Sequence, residues 1–256
     1  MSYAAARLGG ESISVGAGSL IPALHGSRAV VDQILQLDAL SPQGVRIALG
    51  AGWDRNEFER YGKPFTDRFR SMYACVDLLR GHEGFDSSKQ LLQTISSDSR
   101  QWVTAGMSGV GVYTGAFGRS MDMLERHTLD YRRALLNSPV RVDGGWVACM
   151  THCYVGSDDR SAGEEYESTI SSYMDRHALR SRLGVEERRR TVDSGLARMR
   201  ESMGLIGSPE TITSRFRGYE RAGIDEIVLL FQYSDDLTRE LDQLSKIQKV
   251  LYDECV

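Results

Sequence analysis

Short stretches in which apolar residues alternate with small or polar ones recur along the chain, separated by longer stretches of helical periodicity. The period of two is typical of strands, and apolar residues three and four apart are typical of amphipathic helices. The strand pattern covers residues 12–20, 45–50, 102–105, 109–114, 146–155 and 226–232. The helical pattern covers residues 28–40, 54–61, 66–79, 120–136, 162–176, 185–203, 209–222 and 236–252, whereas residues 80–99 predict a loop with one helical turn. Strands that alternate with helices predict a parallel α/β sheet, open or closed into a barrel.

The strand at residues 45–50 is followed by a turn of very small residues. Gly50, Ala51 and Gly52 allow the backbone to turn and to approach a flat ligand without an intervening side chain. Trp53 follows, and Asp54 has the position of a helix N-cap. This arrangement is typical of the ligand-binding rim of an α/β barrel, but the spacing alone favours an ordinary strand-to-helix turn, in which three small residues after a strand are common.

Composition and charge narrow the class of protein. The chain has 256 residues, 41% of them hydrophobic, and a formal net charge of −4. These values predict one globular domain over residues 1–256, and the negative charge argues against binding to nucleic acid or to a membrane surface. No apolar run approaches the roughly 20 residues that cross a bilayer. Four scattered cysteines and the lack of a signal-peptide pattern predict a cytoplasmic protein.

The strand at residues 146–155 carries the candidate for acid–base chemistry. His152 lies among Met150, Thr151 and Tyr154, where an imidazole could contact a ligand or simply be satisfied by a neighbour. Cys149 and Cys153 fall on the opposite face of this strand from His152, so the three side chains do not predict a metal site. The sequence contains no motif typical of hydrolases or of phosphate-transferring enzymes.

Four blocks of sequence, spread over nearly the whole chain, resemble the bacterial luciferase-like flavin-dependent monooxygenases, most closely those of natural-product biosynthesis. They are AGSLIPALH (Ala17–His25), GAGWDRNEF (Gly50–Phe58), WVTAG with YTGAFGRS (Trp102–Gly106 and Tyr113–Ser120), and MTHCYVGSDD with IGSPETITSRFRGYERAGIDEIVLL (Met150–Asp159 and Ile206–Leu230). The resemblance implies a (β/α)8 TIM-barrel-like fold that holds reduced flavin, FMN or a deazaflavin, at the C-terminal ends of its strands. It also implies an oxidoreductase that uses molecular oxygen, acting on a small-molecule or carrier-bound substrate.

The resemblance assigns roles to residues by position. Ser19 is expected where a strand meets the flavin ring, and Gly50, Ala51, Gly52 and Trp53 beside the ring or its ribityl chain. Thr104, Ala105 and Thr114 are expected to line the rim, and His152 to point into the barrel as the catalytic candidate.

The chain also departs from the family pattern. Only about six of the eight strands are recognisable, because the family has two further strand–helix units before AGS. The helix start that binds the flavin phosphate in the family is replaced by Met-Ser-Gly-Val-Gly. An incomplete barrel would expose strand edges, so we expect a homo- or hetero-oligomer, a reduced barrel, or a gene model that has lost its 5′ end. The alternative to an active enzyme is a shortened, non-catalytic homologue that binds flavin or completes a partner subunit.

Overall fold

The structure is a computed structural model. It describes residues 15–41, 43–83, 85, 90–95, 98–117, 119–140, 145–178, 184–230 and 236–254. The residues predicted to begin the first strand (12–14) and to end the last (231–232) lie outside these ranges, as does Cys255.

Strands and helices alternate along the described chain. The strands are β1 Val15–Leu20, β2 Val45–Leu49, β3 Leu91–Ile95, β4 Gly111–Gly115, β5 Val147–Val155, β6 Leu205–Gly207 and β7 Glu226–Leu230. The helices are α1 Pro22–His25, α2 Ser27–Ala39, α3 Arg55–Arg60, α4 Arg68–Arg80, α5 Arg100–Met107, α6 Met121–Leu136, α7 Asp159–Ala178, α8 Val185–Arg198, α9 Pro209–Arg221 and α10 Leu237–Glu254. A 3-10 turn at Phe65–Asp67 precedes α4, and a π-helical turn at Met199–Met203 follows α8.

The strands lie in the order β1-β2-β3-β4-β5-β6, and β7 pairs with β5. The pairs β1–β2, β2–β3, β3–β4 and β5–β6 are parallel. Helices connect these parallel strands, as such connections require. The predicted α/β class and the incomplete TIM-barrel-like sheet are therefore confirmed.

The contacts divide the chain into two compact units. The first contains the described residues up to Thr114 and those of His127–Ala148, and the second contains Gly115–Arg126 and the described residues from Cys149 onward.

The first unit is built on a curved four-stranded sheet. Gly18, Ala48, Leu92 and Gly111 lie in register across β1 to β4. Although two strands separate β1 from β4, the ring of Tyr113 on β4 lies 3.3 Å from the position that a Cβ on Gly18 would occupy. The sheet therefore curves, and Gly18 and Tyr113 lie on its concave face.

The second unit packs helices around β5. The side chains of Tyr166 on α7 and Tyr219 on α9 are fully buried, and so is Met203 at the end of the π-helical turn. The phenol of Tyr219 and the hydroxyl of Thr151 on β5 both donate to the carbonyl oxygen of Met203. These two hydrogen bonds tie β5 and α9 to the chain just before β6.

Two of the sequence predictions about secondary structure are wrong. The predicted strand at residues 102–105 lies within α5, where Trp102, Ala105 and Gly106 form the buried side. The predicted loop at residues 80–99 contains β3, whose Leu91, Leu92 and Ile95 are buried. β6 was also not predicted, and with three residues it is the shortest strand described.

Within the described ranges, the structure has no helix that combines the length and apolar character needed to cross a membrane.

Candidate functional site

The C-terminal ends of β1 and β2 bring a polar side chain against bare backbone. The amide of Gly50 donates to the carbonyl oxygen of Leu20 at 2.8 Å, which extends the pairing of the two strands by one residue. A Cβ on Gly50 would lie 3.2 Å from Ser19 Oγ, a tight contact. The peptide bond between Gly18 and Ser19 is cis, and the register of β1 against β2 shifts between Gly18 and Leu20. Ser19 and Gly50, which the sequence predicted to share a site, are therefore neighbours.

The turn after β2 requires glycine for its geometry. Gly52 has a φ of 85°, which L-residues with a side chain rarely adopt, and a Cβ there would lie 2.6 Å from the ring of Phe58. Phe58 is buried in a small cluster with Ala23 and Leu24. Asp54 accepts a hydrogen bond from the amide of Asn56 at 2.9 Å and so caps α3, as predicted. The turn is thus held by a cap on one side and a buried ring on the other.

Aromatic side chains stand beside this turn. Trp53 is 70% exposed. The rings of His25 and Tyr61 meet edge to face with centroids 5.6 Å apart. An exposed tryptophan next to a glycine turn leaves an apolar surface open to a ligand.

Two residues of the concave face were not predicted as site residues. Thr94 on β3 pairs with Tyr113 on β4, and extending the β2–β3 register by one residue places Gly50 beside Thr94. Thr94 Oγ1 is buried and has no hydrogen-bond partner among the residues that the structure describes. Because a buried hydroxyl without a partner is costly, such an atom is suited to hydrogen-bond a polar group of a ligand.

The other three residues predicted to line the rim, Thr104, Ala105 and Thr114, do not lie on the concave face beside Gly18 and Tyr113. Thr104 is half-buried on α5 and its hydroxyl donates to the carbonyl oxygen of Arg100 at 3.0 Å, while Ala105 is fully buried in the same helix. Neither residue lies at a strand end, which was the reason for predicting them. Thr114 does lie at the C-terminal end of β4, but it is only 1% exposed and its hydroxyl donates to the carbonyl oxygen of Ile95 at 2.8 Å. Strand alternation puts its side chain on the face opposite to Tyr113.

In the second unit, His152 is buried against the helix that follows its strand. Its Nδ1 lies 3.1 Å from the hydroxyl oxygen of Tyr166 on α7. On the same face of β5, the hydroxyl of Tyr154 donates to Glu165 on α7 and accepts from Arg239, each at 2.8 Å. Burial raises the pKa of Tyr154, so the phenol stays protonated. The face that carries His152 therefore contacts α7 through two tyrosine hydroxyls, and its catalytic role stays a prediction.

Several solved structures share this fold at low sequence identity. Monooxygenase RslO1 from Streptomyces bottropensis aligns over 95% of this chain and 79% of its own, with a TM-score of 0.72 and 12% identity. The oxygenating constituent of 3,6-diketocamphane monooxygenase from the CAM plasmid of Pseudomonas putida, in complex with FMN, aligns over 91% and 77%, with a TM-score of 0.69 and 16% identity. An F420-dependent secondary alcohol dehydrogenase aligns over 93% and 79%, with a TM-score of 0.68 and 15% identity.

Neither a protein-family model nor a curated protein sequence matches the chain. At these identities the structural likeness establishes the fold, and the fold implied by the luciferase-like resemblance is confirmed. Its neighbours include both FMN-bound and F420-dependent enzymes.

Proposed function

We propose that the chain is a flavin-dependent monooxygenase of the luciferase-like type, which binds reduced FMN or a deazaflavin at the C-terminal ends of β1 to β4. The observation that carries the proposal is the buried hydroxyl of Thr94, which has no hydrogen-bond partner among the described residues. Thr94 follows Gln93, the residue of β3 that pairs with Leu49 at the end of β2, just before the glycine turn. A flavin ring is planar and carries donors and acceptors along one edge. It therefore suits a glycine-lined surface with one unused hydroxyl.

The residues around Thr94 fit such a ring. Gly18 and Gly50 offer backbone without side chains, and Ser19 Oγ lies where a Cβ on Gly50 would approach it. The ring of Tyr113 lies 3.3 Å from the position of a Cβ on Gly18, and Trp53 is open to solvent at the end of the turn. Ser19, Gly50, Ala51, Gly52 and Trp53 are thus proposed cofactor-binding residues, with Thr94 and Tyr113 added. Thr104, Ala105 and Thr114 are left out for the reasons given above.

Bound reduced FMN would supply the two electrons that activate molecular oxygen, so that one oxygen atom enters the substrate and the other leaves as water. A bound deazaflavin would instead exchange a hydride with the substrate, because reduced deazaflavins do not activate oxygen. The chain's own residues would orient the ring and exclude water from its reactive face. His152 is the proposed acid–base or orienting group. We place the substrate, a small or carrier-bound molecule, in natural-product biosynthesis on the basis of the sequence resemblance.

Flavin binding can be tested with a matched pair of substitutions. In anaerobic titrations with reduced FMN and with F420, Thr94→Val should raise the Kd about five- to tenfold, because the variant keeps the shape of the side chain and removes its hydroxyl. Thr104→Val is the control, because it makes the same change in α5, where the hydroxyl bonds to the helix backbone, and it should leave the Kd unchanged. Equal Kd values for Thr94→Val and the wild type, or no binding by the wild type, would overturn the proposed site.

Turnover is tested separately, by oxygen uptake with a flavin reductase and NADH. If His152 takes part in proton transfer, His152→Gln should change the pH profile of uptake, whereas Tyr166→Phe should mainly lower stability. An unchanged profile in His152→Gln would contradict the role of His152.

A second function, as a subunit that associates with another copy, is favoured by the exposure of two strands. Among the described residues, β1 pairs only with β2 and has exposed positions at Gly16, Gly18 and Ser19. β7 pairs only with β5 in this part of the chain, and none of its five residues is buried, although its sequence EIVLL is that of a core strand. Apolar strand residues that remain partly open to solvent promote association. Sedimentation of the wild type and of Val228→Lys tests this function: a dimer lost in the variant supports it, and a monomeric wild type contradicts it.

A further inference from the structure

A large cavity in the second unit is lined by residues that are not part of the proposed flavin site. It has a volume of about 1000 Å³ and lies between α9, α10 and the chain that follows β5. Its lining residues are Val155, Gly156, Ser157, Pro209, Glu210, Thr213, Ser214, Arg217, Arg221, Lys246, Lys249 and Val250. Pockets for small molecules have volumes of about 300–1000 Å³, so this cavity has room for a ligand the size of a nucleotide.

Four cations face this cavity from two helices. Arg217 and Arg221 are one turn apart on α9, and Lys246 and Lys249 are one turn apart on α10. Among the lining residues that the structure describes, Glu210 is the only acidic one. The chain as a whole has a net charge of −4, so this cluster reverses the average sign of the surface. Facing cations raise the local potential, which attracts anions.

Lys246 has an acidic neighbour outside the cavity. Lys246 forms an ion pair with Asp242 at 2.7 Å, with about half of each side chain exposed. Exposed pairs of this kind hold their partners weakly. The pair therefore does not prevent Lys246 from serving an anionic ligand.

Hydroxyl groups and an apolar floor complete the lining. Ser157, Thr213 and Ser214 add hydroxyls, and the buried side chains of Val155 and Val250 add an apolar surface. Hydroxyls combined with arginine and lysine are the groups that bind phosphate oxygens, whereas an apolar floor suits an organic moiety. The lining is therefore suited to a molecule with both parts.

The N-terminus of α9 already has an anionic neighbour and is not part of the proposed site. Asp159 accepts a hydrogen bond from the amide of Ser208 at 2.8 Å and another from the hydroxyl of Thr211 at 2.9 Å. The carboxylate thus occupies the position at the helix N-terminus that an anion would take. Any anion in the cavity must instead be held by the side chains along the two helices.

We propose that this cavity binds a phosphate-bearing organic molecule. The four cations hold the phosphate, and Val155 and Val250 contact the organic part. The phosphate could belong to a flavin mononucleotide or to a separate substrate, and the two sources share the same recognition chemistry. The proposal does not depend on the flavin site on β1 to β4.

Calorimetric titration with inorganic pyrophosphate tests the cation cluster directly. The wild type should bind with a Kd below about 1 mM at low ionic strength, and added KCl should weaken binding because the charges are exposed. The double variant Arg221→Gln/Lys249→Gln should bind at least about tenfold more weakly, since two of the four cations are lost. The control Arg28→Gln/Arg189→Gln removes two exposed arginines from α2 and α8, and it should bind as the wild type does.

The source of the phosphate is distinguished by competition. Displacement of pyrophosphate by FMN but not by riboflavin would assign the site to the flavin phosphate, whereas displacement by ADP but not by FMN would assign it to a separate ligand. The proposal is overturned if the wild type does not bind pyrophosphate, or if both double variants lose affinity equally. Circular dichroism of both variants shows that any loss is not a loss of folding.

Discussion

The side chain of Gln243 on α10 pairs with the backbone of Val155 at the end of β5. The amide of Val155 donates to Gln243 Oε1 at 2.8 Å, and Gln243 Nε2 donates to the carbonyl oxygen of Val155 at 3.2 Å. Both residues are buried. One glutamine therefore satisfies both backbone groups of a buried strand residue, as a neighbouring strand would, and fixes α10 against β5.

Replacing this glutamine should destabilise the protein clearly. Gln243→Ala leaves the amide and the carbonyl of Val155 buried without these partners, which should cost about 1–3 kcal/mol of unfolding free energy. Urea denaturation followed by circular dichroism measures the change. Gln248→Ala, at an exposed position on the same helix, is the control and should lie within about 0.5 kcal/mol of the wild type. If both variants unfold at the same urea concentration, the Gln243–Val155 pair does not contribute to stability.

The sequence predicted most of the helices and strands because their signals are local. Ser208 and Pro209 have the pattern of a helix start, and the structure shows Ser208 accepting a hydrogen bond from the amide of Thr211 at the N-terminus of α9. The nine residues of β5 form the longest apolar strand. Signals of this kind need no knowledge of the tertiary structure.

The two wrong secondary-structure predictions concern short segments whose pattern does not distinguish the strand period of two residues from the helical period of about 3.6. Trp102, Val103 and Thr104 have side chains that favour strands, yet Trp102, Ala105 and Gly106 also lie on one side of a helix. In β3, the polar Gln93 and Thr94 interrupt the apolar residues, so the sequence does not show the apolar pattern of a buried strand. Gln93 is buried because its side chain bonds to Tyr73 and Gln101, which lie on α4 and α5.

The candidate site was predictable only where glycine marks it. Gly50 and Gly52 predict the turn from the sequence alone. Thr94 and Tyr113 become site residues because β3 is the neighbour of both β2 and β4, and that order is a property of the fold. Thr104 and Ala105 were predicted from a strand that does not exist.

The close approach of α5 and α6 depends on Gly106. A Cβ at this position would lie 2.6 Å from the carbonyl oxygen of Tyr131 and 2.8 Å from the Cβ of Ala134. Gly106→Ala should therefore destabilise the protein by about 1–3 kcal/mol through overpacking, despite the better helix propensity of alanine. Thermal unfolding measures the effect. Gly115→Ala is the matched control, because a Cβ there meets no atom within 4 Å, and a Tm for Gly106→Ala equal to that of the control would contradict the close contact.

The buried cysteines should be unreactive in the native protein. Burial raises the pKa of Cys75, Cys149 and Cys153 to about 12, so almost no thiolate is present at pH 8. In a Cys255→Ser background, a disulfide reagent such as DTNB should label these three thiols only after guanidinium chloride is added. The denatured sample is the control that counts them. Rapid labelling of the native variant would show that at least one of the three is accessible.

Asp159 should make stability depend on pH in the acidic range. The hydrogen bond from the amide of Ser208, followed by that from the hydroxyl of Thr211, lowers the pKa of Asp159 below its ordinary value of 3.8. Because the pKa is lower in the folded state, the stabilisation is fully present above pH 3.8 and is lost as the pH falls through the folded-state pKa. Asp159→Asn should lower the unfolding free energy by about 1 kcal/mol at pH 7, a modest value because the carboxylate is largely exposed.

Measuring the unfolding free energy over a range of pH distinguishes the hydrogen bonds of the Asp159 carboxylate from a general effect of losing one negative charge. The difference in unfolding free energy between the wild type and Asp159→Asn should be constant from neutral pH down to about pH 5 and should shrink towards zero below the folded-state pKa. Asp193→Asn removes a carboxylate that lies 3.9 Å from Arg189 in an exposed pair on α8, and it should change stability little at any pH. If the difference in unfolding free energy between the wild type and Asp159→Asn stays the same as the pH falls below the folded-state pKa, the charge of the carboxylate does not stabilise the start of α9.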